Sequence, residues 1–203
     1  MRKAALFALM LTLLLTACGG EEKDPAAALQ RQYAAVEAAT MEAEIVCHYD
    51  DEVRNYSLLC AYTPDCSTVT VLSPEELAGI SATVEDGELT LSYDDISLDA
   101  GTYSDAAVSP VAVLPKLMEA ASVGYVTEES SENLDDRACL CVSCDLQDDT
   151  ETVYTTWFDE GSLLPIRSEV ACGGVVVYEV TWNRFEVTEQ RPLEEEPSEG
   201  ETI

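Results

Sequence analysis

The chain has 203 residues, of which 47% are hydrophobic, 40 are Asp or Glu and 10 are Lys or Arg, giving a formal net charge of −30. That length suits one domain with a real core and is short for two. The charge excludes a nucleic-acid binder and repels anionic lipid head groups; a cationic partner fits it, and no loop has the Asp-x-Asp-x-Asp-Gly order of a dedicated calcium site.

At the start, Arg2 and Lys3 precede an uncharged apolar run over residues 4–15. A spanning helix needs about 20 apolar residues, so this run is too short and reads as a secretory signal peptide. Its end, Leu15-Thr16-Ala17-Cys18, resembles the bacterial lipobox, in which a lipid is joined to the Cys sulfur and the chain is cut just before it. The resemblance implies a signal peptide over residues 1–17 and diacylglyceryl-Cys18 as the mature N-terminus. It also implies attachment to a membrane of the bacterial cell envelope, on its extracytoplasmic side. Two or three acyl chains, such as palmitate, anchor stably where one alone binds marginally. Residues 18–25 then form the lipidated Cys and its tether.

Asp24-Pro25 is a helix start, with Asp able to cap and Pro suited to the first helical position. A helix is predicted over residues 26–40, with Leu29, Tyr33 and Val36 on one stripe. From Met41 the period is two: Met41, Ala43, Ile45, Cys47 and Tyr49 share one face, and Glu42, Glu44 and His48 the other. A turn over residues 50–55 leads to a second strand on which Tyr56, Leu58, Cys60 and Tyr62 alternate. Thr63-Pro64-Asp65 turns into a third strand over residues 68–72. Glu85-Asp86-Gly87 joins strands at residues 80–84 and 88–93, and Ile96 and Leu98 add a short strand. Ser109-Pro110 opens a second helix with an apolar stripe of Val111, Leu114, Leu117, Met118 and Ala121. Five strands follow, at residues 123–128, 138–146, 152–158, 166–172 and 175–187. The domain spans residues 26–188, and the acidic segment 189–203 has too few apolar residues to pack and is predicted to be disordered. Antiparallel hairpins with two helices make this an α+β protein, both helices lying on one face of a curled sheet.

This order resembles the LolA-like superfamily of lipoprotein carriers. So do Leu91-Ser92-Tyr93-Asp94 after a glycine hairpin, and Trp157-Phe158-Asp159 followed by Leu164-Pro165-Ile166. The resemblance covers roughly residues 26–187. It implies an unclosed β-barrel with helices against its concave face, and an apolar cavity for lipid or acyl chains; the same fold serves in stress sensors of the periplasm. The carrier proper is soluble, whereas this chain carries a lipidation pattern of its own. Candidate cavity residues are Tyr33, Ile45, Tyr49, Leu58, Tyr62, Leu91, Tyr93, Leu117, Trp157 and Trp182, although a packed core uses the same residues at the same period.

Setting Cys18 apart leaves Cys47, Cys60, Cys66, Cys139, Cys141, Cys144 and Cys172, an odd number, so at least one thiol is unpaired or pairs between chains. Structural disulfides, free thiols, a thiolate metal site and a redox pair at Cys141-x-x-Cys144 all remain open, the redox reading requiring those two thiols to be close, exposed and reactive. Hairpin counting sets Cys47 opposite about Ser57, against a Cys47–Cys60 bridge. His48 is the one histidine, and its acidic face predicts exposure. No phosphate loop or Gly-x-Ser-x-Gly elbow occurs, so catalysis is not expected, and no cofactor is implied. The expected function is a lipid-anchored protein binding an apolar ligand between sheet and helices. The alternatives are an envelope sensor or interaction module recognising a protein or lipoprotein, marked by an exposed apolar patch on one sheet edge, or a thiol-dependent redox or metal protein.

Overall fold

The computed structural model describes residues 24–49, 52–102, 109–147 and 151–191. Cys18, the predicted signal peptide over residues 1–17 and all of the predicted acidic tail beyond Arg191 lie outside the described residues. Helix α1 (Pro25–Ala34) starts where its capping chemistry dictates: Asp24 Oδ1 accepts from the Ala27 N–H at 3.0 Å, and Pro25 takes the first turn. It ends well before the predicted residue 40. Nothing in Ala34-Ala35-Val36 breaks a helix; from Val36 the chain instead pairs with the sheet's last strand in chain order, and from Ala39 with the following strand as well. That pairing satisfies the backbone and buries Val36, Ala39 and Met41, and so overrides the helix propensity of the alanines.

Eleven strands follow among the described residues: β1 (Val36–Tyr49), β2 (Glu52–Tyr62), β3 (Cys66–Ser73), β4 (Ser81–Glu85), β5 (Glu88–Tyr93), β6 (Ile96–Thr102), and then β7 (Tyr125–Leu134), β8 (Arg137–Asp145), β9 (Thr152–Asp159), β10 (Pro165–Cys172) and β11 (Val175–Gln190). Between β6 and β7, a short 3₁₀ turn at Pro110–Ala112 leads into helix α2 (Val113–Val123). The strands form one antiparallel sheet in the order β6-β5-β4-β3-β2-β1-β11-β10-β9-β8-β7. The chain therefore begins at mid-sheet, meanders to one edge, and passes through α2 to the other. It then meanders back to close against β1. The predicted class stands: α+β, a curled and unclosed antiparallel sheet with both helices on one face.

Turn chemistry fixes much of the register. Asp86 and Gly87 both have positive φ, at 52° and 79°, as a two-residue hairpin turn requires. Asp135 and Asp136 do the same at 49° and 64°, so β7 runs on to Leu134 rather than ending at residue 128. Tyr49 pairs with Glu52, a tighter turn than predicted, which sets Cys47 opposite Arg54 rather than Ser57. Cys60 faces Met41, so a direct Cys47–Cys60 bridge remains out of register. Strand β11 extends past residue 187 to Gln190, and the Arg191 N–H donates to Ala35 O at 2.7 Å, tying the end of β11 to the end of α1.

Alternation then divides the side chains. Met41, Ala43, Ile45 and Cys47 are wholly buried under the helices with Leu58, Cys60, Val69 and Val180. On the opposite face, hydroxyl pairs bridge neighbouring strands, Thr68 with Thr83 at 3.1 Å and Thr70 with Ser81 at 3.0 Å. His48 lies on that face and pairs with Glu179 at 2.9 Å.

Candidate functional site

The helix-covered face of β8–β11 is floored by aromatic rings. Tyr33 of α1 meets Phe158 edge-on, with ring centroids 5.3 Å apart, and lies 5.8 Å from Phe185. Trp182 packs edge-on against Phe185 at 5.8 Å. Their polar atoms are satisfied. The Tyr33 hydroxyl donates to Leu163 O at 2.9 Å, and burial holds its pKa well above the ordinary tyrosine range. The Trp182 indole N–H donates to Ser168 Oγ at 2.9 Å, and Ser168 shares a hydrogen bond of 2.7 Å with Thr156. Helix α2 lies over this floor. Leu117, Met118 and Ala121 meet it, and Val113, Leu114, Lys116 and Ala120 are buried as well, so α2 is covered over more than the predicted stripe.

Among the described residues, two small apolar voids lie against α2. One is lined by Leu29, Tyr154 and Val142 among others, the second by Tyr33, Trp182 and Phe185; Leu117, Ala121, Thr156 and Phe158 line both. Each is about 10 Å³. A single water needs about 10–15 Å³, and a small-molecule pocket about 300–1,000 Å³. The space between α2 and this aromatic floor is therefore packed, with α2 as its filling. Larger recesses lie elsewhere, the first of mixed lining and the second mainly polar. One of about 310 Å³ opens between Tyr62, Asp65, Cys66, Asp86 and Glu119, and one of about 370 Å³ lies over Glu44, Val46, Asn55 and Ser57 on the opposite face.

The candidates from sequence separate accordingly. Tyr33, Leu117 and Trp182 meet around the voids. Ile45 and Leu58 are buried in the floor under the N-terminal half of the sheet, and Tyr62 borders the recess of about 310 Å³. Tyr49 is partly exposed at the end of β1, with the Arg54 guanidinium 5.9 Å from its ring centroid. Leu91 and Tyr93 lie on β5, out beyond the helices, with Tyr93 exposed. Trp157 leaves the set: it points to the opposite face, where its N–H donates to Glu132 at 2.8 Å and Arg167 lies 5.7 Å over its ring. The reason is alternation, since Thr156 and Phe158 take the inward positions of β9. Leu29, Phe158, Phe185 and the Thr156–Ser168 pair are not among the sequence candidates for this site; the inward period of Thr152, Tyr154, Thr156 and Phe158 is the signal that marks the two on β9, and the predicted helix stripe is the one that marks Leu29.

The thiols do not converge. All seven described cysteines are free. In β8 the register sends Cys139 and Cys141 to one face and Cys144 to the other, so the x-x spacing of Cys141 and Cys144 makes no dithiol, and both are buried. Burial pushes the thiol pKa of Cys47, Cys60 and Cys141 up to about 12 and that of Cys144 to about 11, aided at Cys141 by the charge of Glu132. Thiols this hard to ionise are poor nucleophiles. Among the described residues, no group of three or more His, Cys, Asp or Glu is placed to hold a metal.

No family model matches the chain, and no curated protein matches its sequence. Solved structures do. A domain from Vibrio parahaemolyticus named for outer membrane lipoprotein sorting superposes with a TM-score of 0.50 at 9% identity, over 83% of this chain and 94% of that one. A DUF1329 family protein from Desulfovibrio piger gives 0.48 at 13%, over 81% and 91%. The Mycobacterium tuberculosis lipoprotein LppX gives 0.45 at 13%, over 86% and 100%. The first shows a shared fold; the other two are too distant to argue from.

Proposed function

We propose that this is a lipid-anchored, extracytoplasmic binding protein of the bacterial envelope, and that an apolar chain of a lipid or lipoprotein enters between sheet and helices as α2 moves aside. The observation that carries this reading is the position of α2. It lies against two apolar voids that share four lining residues, and its Leu117, Met118 and Ala121 hold it there by apolar packing. Such packing is non-directional, so an acyl chain can replace the helix side chains with little loss. The Leu15-Thr16-Ala17-Cys18 pattern supports acylation of Cys18, and a fold shared with a domain named for lipoprotein sorting agrees in kind. Binding in this account is burial of apolar surface, with no chemical step and no cofactor.

Native mass spectrometry of the full chain from an exporting host tests both parts. Covalent acyl groups at Cys18 stay with the denatured polypeptide, whereas a held lipid adds mass that leaves on unfolding. The expected result is both. A native mass equal to the denatured mass, in a host rich in fatty acids and phospholipids, would count against an acyl-chain ligand.

A further inference from the structure

The two edges of the sheet are guarded differently. Strand β7 carries Glu128, Glu129 and Glu132, and charges along an edge discourage pairing with another chain. Strand β6 has one charge, Asp99, and all its residues are exposed. Ile96 is 72% exposed and Leu98 63%, beside Tyr93 at 51%. These three are not scattered. Leu98 pairs with Leu91 and Ile96 with Tyr93, while Leu91 in turn pairs with the buried Ala82. The apolar face of the sheet thus continues past the helices to an edge along which no further strand lies among the described residues.

The charge around this strip selects what can cover it. From Cys66 to Thr102 the chain carries eight acidic residues and no Lys, Arg or His. A second copy would bring the same acids to the contact, and residues 192–203 of this chain carry five Glu and no base. An anionic membrane surface is repelled for the same reason. Along β6, Leu98 and Asp99 point to opposite faces, so an added strand with alternating apolar and basic residues meets apolar and acidic groups in turn. Beyond them Gly101 has φ 92°, and its N–H is held by Asp99 Oδ1 at 2.9 Å, which turns the edge aside and keeps the free stretch short. From this we infer that β6 is a docking edge for a short extended segment of another protein, basic and apolar in alternation, added as a twelfth strand. The site is separate from the interior one and stands whether or not a lipid is bound.

The test is fluorescence anisotropy of a labelled lysine–valine alternating hexapeptide titrated with the purified full chain at low salt. Saturable binding is expected, weakened about tenfold or more by Leu98→Ser, which removes apolar contact from an exposed site that the fold does not need. A glutamate–valine peptide of the same pattern should not bind. Nor should the lysine–valine peptide N-methylated at every residue, which has no backbone donor left on either edge. Equal binding of the methylated peptide, or indifference to Leu98→Ser, would reduce the effect to general attraction to an acidic surface and overturn the inference. Concentration-dependent self-association in sedimentation equilibrium that Leu98→Ser abolishes would overturn it too, by assigning the edge to a second copy.

Discussion

Leu117→Ala tests whether α2 is the filling of the interior. Leu117 is almost fully buried and lines both voids, so truncating it removes the side chain that divides them. The surroundings are aromatic rings and strand backbone held by hydrogen bonds at Tyr33, Trp182 and Ser168, which leaves little room to collapse. A Leu→Ala change at a site that cannot collapse costs about 3 kcal/mol, from lost transfer energy and the cavity left behind. For a chain of this size that corresponds to a fall in Tm of about 6–12 °C. Urea denaturation gives the free-energy change and a thermal melt gives the Tm. The merged cavity would be mostly apolar, so saturating benzene should restore part of the loss in the variant and do nothing for the parent protein. A destabilisation below about 1 kcal/mol, with no response to benzene, would mean that α2 does not pack as described here, and the plug account would fail with it.

Two further outcomes follow from particular contacts. A Cβ at Gly124 would come 2.5 Å from Ala120 O and 2.8 Å from Cys144 Cβ, so Gly124→Ala should destabilise by about 3 kcal/mol through overpacking, read from urea midpoints; a neutral result would place the end of α2 further from β8. The thiols predict alkaline sensitivity. The folded pKa of Cys60 is raised from 9.0 to about 12, so above pH of about 9 the unfolded chain sheds a proton that the folded chain keeps, and stability falls as pH rises through this range. Cys60→Ala should flatten that fall by about 1.4 kcal/mol per pH unit in melts between about pH 9 and 11; an unchanged slope would mean that the Cys60 thiol ionises freely in the fold.

Features set by neighbouring residues were legible in the sequence. Asp24-Pro25 announces α1, Asp86-Gly87 announces a hairpin, and the alternation from Met41 to Cys47 gives the buried face of β1. Most of what failed depended on partners far along the chain, and one turn lacked its usual residue. The end of α1 is set by β11 pairing with Val36 and its successors, which no local breaker signals. Asp135-Asp136 adopts positive φ without a glycine to mark it. Whether Trp157 or Phe158 faces the helices is a question of register, and one residue of slip exchanges them. Packing density was out of reach altogether, because Tyr33, Leu117 and Trp182 would read alike around a hollow interior or a filled one. The odd thiol count left bridges open; the strand faces of Cys141 and Cys144 close one of those possibilities.

The chain's two tryptophans sit on opposite faces of the sheet, Trp182 beside the void and Trp157 beside Glu132, and this allows the most direct test of acyl-chain entry under α2. Brominated fatty acid quenches indole emission only at contact. It would be titrated into Trp157→Phe, which reports from Trp182, and into Trp182→Phe, which reports from Trp157. The account predicts saturable quenching in the first and little in the second. Quenching of Trp157 alone, or no quenching of Trp182 at saturating ligand, would contradict entry between sheet and helices.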